Sequence, residues 1–386
     1  MKWNEFIFDF NDGVQILAPP KSRKLKYTVT DMSGKRGVFR GELDRDENLW
    51  TVGRVNYKMY VPWRVELETE DGEKLVHDLD LTGKPVLIDL SKGALGDSVA
   101  WMPAAAEFHR KWGGMTWVCL RKEWCCLYRG VYPELMIITP DEANEIKAQD
   151  TYARYTVAVC GYEVSEFYEC VDFRRNNLLL HADMILGVDS GGKPPKIGLP
   201  FTPHWHGNDS REIYIATRAS RKCKEWNNPG GWDRLVKELT DRGFRVICID
   251  ADNQNLPFRT IDRTGKTALI NRAEDLKGAR LFIGLPSGLS WLAWACGVPV
   301  VLISGFTDVV RPEAERLRYP EFDTPWRVSA PEGCCRNCWM DCDQRETKRF
   351  DGCYWHKNNE CTREITPEMV LREVDKALES TEREWK

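Results

Sequence analysis

No GxGxxG fingerprint occurs anywhere in the chain, which argues against an ordinary nicotinamide dehydrogenase. Charge of one sign is lacking too: 55 Lys and Arg against 59 Asp and Glu leave a formal net charge of −4 over 386 residues. A balance so close to neutral gives no global pull towards nucleic acid or an anionic membrane, so any anion site must be a local patch. The opening MKWNEFIFDFNDG sets Glu5 and Asp9 among its apolar residues. It offers no signal-peptide core, and a reducing cytoplasm is expected. One long uncharged run exists, Leu281 to Thr307, but Pro286, Gly288, Gly297 and Pro299 cut it into strand, loop, short helix, turn and strand. That is the pattern of a βαβ unit buried on both faces, and no membrane insertion is expected.

What is present is a globular composition, 42% hydrophobic and 30% charged, enough for two or three domains with real cores. Residues 1–84 alternate apolar and polar positions between turn signals in KLKYTVTD, GVFRGEL, YVPWRVELETEDG and KLVHDLDLTG. They predict a β-rich N-terminal domain, a small barrel or sandwich serving as scaffold or oligomer contact. At Pro85 the pattern changes to a buried strand (PVLIDL), a glycine turn (KGALGD) and a helix (SVAWMPAAAEFHRKW). Residues 85–196 are therefore expected to form one Rossmann-like domain. The Gly- and Pro-rich stretch from Gly187 to Pro203 reads as a linker. Residues 197–330 repeat the α/β grammar with REIYIAT, RVICID and the helix WDRLVKELTDRG closed by Gly243. Residues 331–365 form a Cys-rich segment and residues 366–386 a C-terminal helix. The fold class is α/β, with a cleft between two open sheets.

Three segments in that cleft carry chemistry. A glycine turn leaving a parallel strand lets backbone approach a ligand, and Asp97 of KGALGDSVAW lies at its mouth; the plainer reading makes Asp97 the N-cap of the helix. The loop ATRASRKCKEWNNPGGW packs Arg218, Arg221, Lys222 and Lys224 before a helix, a candidate diphosphate cradle beside Thr217. GLPSGLSW is a small-residue loop whose amides and Ser287 hydroxyl suit phosphate oxygens, although it is not a Walker loop. Of the 14 cysteines, Cys335 and Cys338 form a CxxC knuckle, with Cys353 and Cys361 as a second pair. Four thiolates suit tetrahedral Zn(II) or mononuclear iron, and donor chemistry alone favours zinc. Cys334 and Cys342 are expected to be bystanders.

GALGD, KEWNNPGGW, PSGLSW and a Cys-rich tail with NCW followed by ITPE resemble the bacterial autotransporter heptosyltransferases, relatives of the lipopolysaccharide heptosyltransferases. The resemblance implies a GT-B fold, with residues 85–196 as acceptor and catalytic domain, 197–330 as nucleotide-sugar donor domain and 331–365 as a four-cysteine metal finger. It implies transfer of heptose from ADP-heptose to serine hydroxyls of an autotransporter passenger protein. Asp97 then matches the general base, Lys224 the lysine that meets the donor diphosphate, and Ser287-Gly288-Leu289 the loop around the nucleotide phosphates, with Thr217 and Arg218 beside them. No divalent metal is required for that chemistry. The resemblance selects iron over zinc for one structural ion per chain on Cys335, Cys338, Cys353 and Cys361, although the family usually shows a longer gap between its last two cysteines. It also implies a homo-oligomer, a dodecamer.

Rivals fare less well. A lipopolysaccharide-type or other nucleotide-sugar transferase leaves the Cys-rich segment and the β-rich start without a role. A zinc-ribbon nucleic-acid binder would want a basic stripe, whereas Asp341, Asp343, Glu346 and Asp351 here stand beside Arg345, Lys348 and Arg349. A rubredoxin-like electron carrier would not need two Rossmann-like domains.

Overall fold

A computed structural model describes residues 3–11, 13–19, 24–34, 37–43, 51–55, 59–158, 177–199, 205–254, 256–305, 307, 322, 324–336, 353 and 357–383. Cys338, Cys342 and part of the expected linker lie outside the described residues.

The first 84 residues supply β1 (Ile7–Asn11), β2 (Val14–Ala18), β3 (Leu25–Asp31), β4 (Val38–Leu43), β5 (Thr51–Val55), β6 (Trp63–Thr69) and β7 (Lys74–Asp78). These strands divide between two sheets. One is antiparallel, in the order β4-β3-β6-β7, and β6 shows its logic: Trp63, Val65 and Leu67 are buried while Glu66 and Glu68 face solvent. The other strands join the α/β region, where β1 runs parallel to β11 (Ala153–Thr156) with Phe10 opposite Ala153. Asn11 fastens the junction. Its side-chain amide donates to the carbonyls of Ala148 and Thr151, and its oxygen accepts from the Thr151 hydroxyl at 2.8 Å.

With β8 (Val86–Asp89), β9 (Thr116–Cys119) and β10 (Met136–Ile138), the first sheet has seven strands in the order β10-β9-β8-β11-β1-β2-β5. Helix α1 (Leu95–Trp112) buries Val99, Trp101, Met102, Ala105 and Phe108 and ends at Gly113, whose φ of 64° takes the left-handed side that glycine tolerates. The second sheet is parallel throughout, β12 (Glu212–Ile215), β13 (Arg245–Cys248), β14 (Ile261–Asp262), β15 (Leu281–Gly284), β16 (Val300–Ile303) and β17 (Arg327–Val328), in the order β14-β13-β12-β15-β16-β17. That is the doubly wound order, with its switch point between β12 and β15. Every residue of β15 and β16 is buried, as the uncharged run requires of strands covered on both faces. Among the described residues no helix is long and apolar enough to cross a membrane.

Helices α2 (Gly231–Asp241) and α3 (Gly288–Ala295) follow β12 and β15, and α4 (Pro367–Arg383) closes the chain against the second sheet through Val370, Val374 and Ala377. The two α/β halves touch where α1 meets α3. A Cβ added at Gly96 would stand 2.6 Å from Trp291 Cδ1, and one at Gly288 would stand 2.9 Å from Leu95 Cβ. Only glycine lets the first turns of these helices approach so closely.

Candidate active site

Asp97 is not the N-cap that its position before Ser98 suggests. The helix begins at Leu95, so Ala94 is the cap and Asp97 the third helical residue. Its Oδ2 reaches back to accept the Ala94 N–H at 2.6 Å, half of a capping box without the usual hydroxyl partner. Oδ1 has no hydrogen-bond partner among the described residues. The side chain is half-buried, and that burial, the largest influence, pushes its pKa up. The Ala94 N–H bond opposes the rise first, then the charges of Lys224 and Arg121. Asp97 makes no direct ion pair among the described residues.

Lys224 belongs to the opposite half of the molecule. It ends a single 3₁₀ turn, Lys222–Lys224, in the loop between β12 and α2, half-buried and within electrostatic reach of Asp97. Ser287 caps α3, and its Oγ is buried with no hydrogen-bond partner among the described residues. Gly288 and Leu289 open the helix, so their amides are among those left without intrahelical acceptors. The first turn of α1, which carries Asp97, thus packs on the Ser287 turn that opens α3, with Lys224 within electrostatic reach of Asp97; each segment follows a strand's C-terminal end.

Thr217 and Arg218 are differently engaged. The buried Asp250 accepts the Thr217 N–H at 2.9 Å, the Thr217 hydroxyl at 2.7 Å and the Arg218 N–H at 3.3 Å. These amides are spent inside the protein, and Arg218 Nε pairs with Glu225 at 3.2 Å. Sequence reasoning does not single out Asp250. Its signal is the Asp250-Ala-Asp252 spacing at the end of β13, a pattern that elsewhere suggests metal binding, but Asp250 here braces the loop and Asp252 accepts the Gln254 N–H at 3.1 Å.

The tryptophans of KEWNNPGGW and GLSW are packing residues. Trp226 is 4% exposed, stands edge-on to Trp232 at 5.1 Å and donates from Nε1 to the Ile365 carbonyl at 2.8 Å. Asn227 and Asn228 donate to Thr362 Oγ1 and the Arg363 carbonyl at 2.8 and 2.7 Å. The donor-loop motif thus clasps the residues that follow Cys361.

A model of glycosyltransferase family 9 (heptosyltransferase) matches residues 202–316. The autotransporter heptosyltransferase BAHTCr of Citrobacter rodentium is 34% identical over 387 residues, covering 95% of this chain and 88% of that one. This chain belongs to the autotransporter heptosyltransferase family. The protein is a glycosyltransferase with the family 9 fold. It superposes with a TM-score of 0.81, at 31% identity and over 98% of this chain and 97% of the other, on TibC of enterotoxigenic Escherichia coli, described as a dodecameric iron-containing heptosyltransferase in complex with ADP-D-β-D-heptose. Another relative, BimC of Burkholderia thailandensis, is 29% identical over 95% of this chain and 84% of its own and is described as inactive. Membership alone therefore does not carry catalysis; the residues in the cleft must.

In this family member the described part of the Cys-rich segment holds Cys335, Cys353 and Cys361. Burial first, and then the neighbouring Cys353, pushes the Cys335 thiol pKa up. The Lys357 N–H donates to Cys353 Sγ at 3.3 Å. Cys361 is buried against Ala330 and Cys334, so Cys334 is not remote from the expected ligands. Among the described residues no three His, Cys, Asp or Glu side chains are gathered closely enough to hold a metal ion. Two adjacent thiols, one already receiving a backbone N–H, fit a thiophilic cation, which would stabilise both as thiolates.

Proposed function

We propose that this chain moves heptose from ADP-heptose onto serine hydroxyls of an autotransporter passenger protein, with Asp97 as general base. The observation that carries this reading is that Lys224, from the second half, lies within electrostatic reach of Asp97, from the first. As the serine oxygen bonds to the heptose anomeric carbon, Asp97 Oδ1 takes the hydroxyl proton and the bond to the diphosphate breaks, leaving its electron pair on ADP. A desolvated carboxylate is a better base near neutral pH than an exposed one, so its burial suits the task. Lys224, the Ser287 hydroxyl and the amides of Gly288 and Leu289 would bear the charge that develops on ADP. Thr217 and Arg218 contribute the shape of the loop, held by Asp250, and the Arg218 guanidinium. Intact-mass measurement of a co-expressed passenger protein tests the reading: a heptose increment is expected, and its appearance on a lipid or free sugar instead would reassign the acceptor.

Lys224→Ala is expected to weaken ADP binding roughly ten- to a hundred-fold, the span of a charge-assisted contact. Equal calorimetric affinities for ADP in wild type and variant would remove Lys224 from the donor site.

By the same proposal Cys335, Cys338, Cys353 and Cys361 would hold one iron ion per chain. A complete shell of four thiolates leaves no position for substrate, so its contribution is to order the segment that the donor loop clasps. Purified protein is expected to contain about one iron per chain and to be coloured by sulfur-to-iron charge transfer. Cys335→Ser and Cys338→Ser should lose it, and Cys334→Ser and Cys342→Ser should keep it. Full iron content in Cys335→Ser, by elemental analysis, would overturn this ligand set. The protein is further proposed to assemble as a homo-oligomer, in keeping with the dodecameric TibC.

A further inference from the structure

The turn that presents Lys224 is short. Within it the Lys224 N–H donates to the Arg221 carbonyl and the Glu225 N–H to the Lys222 carbonyl, each at 3.0 Å. The carboxamide of Asn227 binds the same turn from outside: its Nδ2 donates to the Lys222 carbonyl at 3.0 Å and to the Glu225 carbonyl at 2.8 Å, spanning the turn from its first residue to the one that follows it. The same nitrogen donates to Thr362 Oγ1 at 2.8 Å, across 135 residues of chain. Two hydrogens serve three acceptors, so one is shared. Thr362 is itself fixed. It lies in the short helix Glu360–Arg363, is 1% exposed, and gives its hydroxyl proton to the Asn359 carbonyl at 3.2 Å, which leaves a lone pair for Asn227. This helix sits hard against the end of β16, where a Cβ at Gly305 would collide with the Cys361 carbonyl.

We propose that Asn227 is a positioning residue for donor binding: its carboxamide ties the Lys222–Lys224 turn to Thr362, so that the place of Lys224, and with it the affinity for the donor diphosphate, is set by the C-terminal segment. The proposal rests on Lys224 meeting that diphosphate. A lysine ammonium is a point charge on a flexible four-carbon stem, and its stem cannot supply the order that a diphosphate contact needs. The backbone beneath it must. A turn held at both ends before the donor arrives spares the cost of ordering it on binding, and a turn released from Thr362 has to meet that cost from the binding energy. Asn227 acts through Lys224 and needs no contact of its own with the donor.

The test measures ADP affinity by calorimetry, together with kcat and the KM for ADP-heptose with a passenger protein as acceptor. It compares wild type with Asn227→Ala, Thr362→Val and Thr362→Ser, each alone and combined with Lys224→Ala. Asn227→Ala is expected to raise the ADP Kd and the donor KM roughly two- to ten-fold, the span of a lost hydrogen bond, with kcat little changed. Thr362→Val keeps the shape of the side chain, loses only the acceptor and should do the same, whereas Thr362→Ser restores the hydroxyl and should restore the affinity. In the Lys224→Ala background neither Asn227→Ala nor Thr362→Val should weaken ADP further, because residues that act through one another are not additive. Full additivity overturns the proposal, as does a lowered kcat with an unmoved donor KM, the mark of a merely structural loss. Wild-type affinity in Thr362→Val overturns the tie to the C-terminal segment. Wild-type affinity in Asn227→Ala while Lys224→Ala is weakened overturns this proposal alone, and wild-type affinity in Lys224→Ala overturns the donor-site reading of that lysine and this proposal together.

Discussion

Asp97→Asn is expected to lower heptosyl transfer by roughly 10²–10⁴-fold, the usual contribution of a positioned general base. The asparagine oxygen can still accept the Ala94 N–H that Asp97 Oδ2 receives at 2.6 Å, so the first turn of α1 keeps its capping contact. What is lost is the basicity of Oδ1; because burial already disfavours the charged carboxylate, removing the charge should cost no stability. Fold and ADP affinity should therefore survive while turnover collapses. If Asp97 were only a capping residue, the variant, which keeps the Ala94 contact, would keep both its stability and its rate. Thermal melting, ADP calorimetry and intact-mass transfer assays on the same preparation separate the two outcomes, and unchanged transfer would rule out the catalytic role.

The largest stability effect is expected from Trp226→Ala. Trp226 fills the core between α2, the second sheet and the C-terminal segment, and truncating a buried aromatic costs about 3–5 kcal/mol. The Ile365 carbonyl that accepts its indole N–H would also be left without its partner, a further cost of about 1–3 kcal/mol if water cannot replace it. Trp226→Phe should keep most of the packing and lose the hydrogen bond, giving a smaller fall. Urea denaturation followed at constant m-value measures both. Because Trp226, Asn227 and Asn228 all hold residues just after Cys361, Trp226→Ala should also loosen the Cys-rich segment. A Trp226→Ala protein with wild-type midpoint would show that this clasp is dispensable.

Some of this is legible along the chain. Continuous apolar runs such as LFIG and VVLI can only be strands covered on both faces, so the parallel pairing of these strands can be read directly. The glycine turn, the basic loop and the small-residue loop can each be placed at a strand's end, because local grammar places breaks well. The N-cap alternative for Asp97 fails because the helix starts two residues before it, and a helix capped by Ala94 offers no side-chain signal there. Asp250 escapes notice for another reason: it is a strand-end aspartate, and nothing local shows whom it meets.

The sequence by itself determined where most strands, helices and turns fall and which family the chain resembles, since those follow from periodicity and from short motifs within one element. Only the tertiary structure decided that β1, β2 and β5 complete the first sheet, that Lys224 lies within electrostatic reach of Asp97, that Asp250 spends the Thr217 and Arg218 amides, and that Trp226 and Trp291 are buried in packing contacts. Each of those is a contact between residues far apart in the chain. Alternation records which face of a strand is buried, but it carries no label for the partner that buries it.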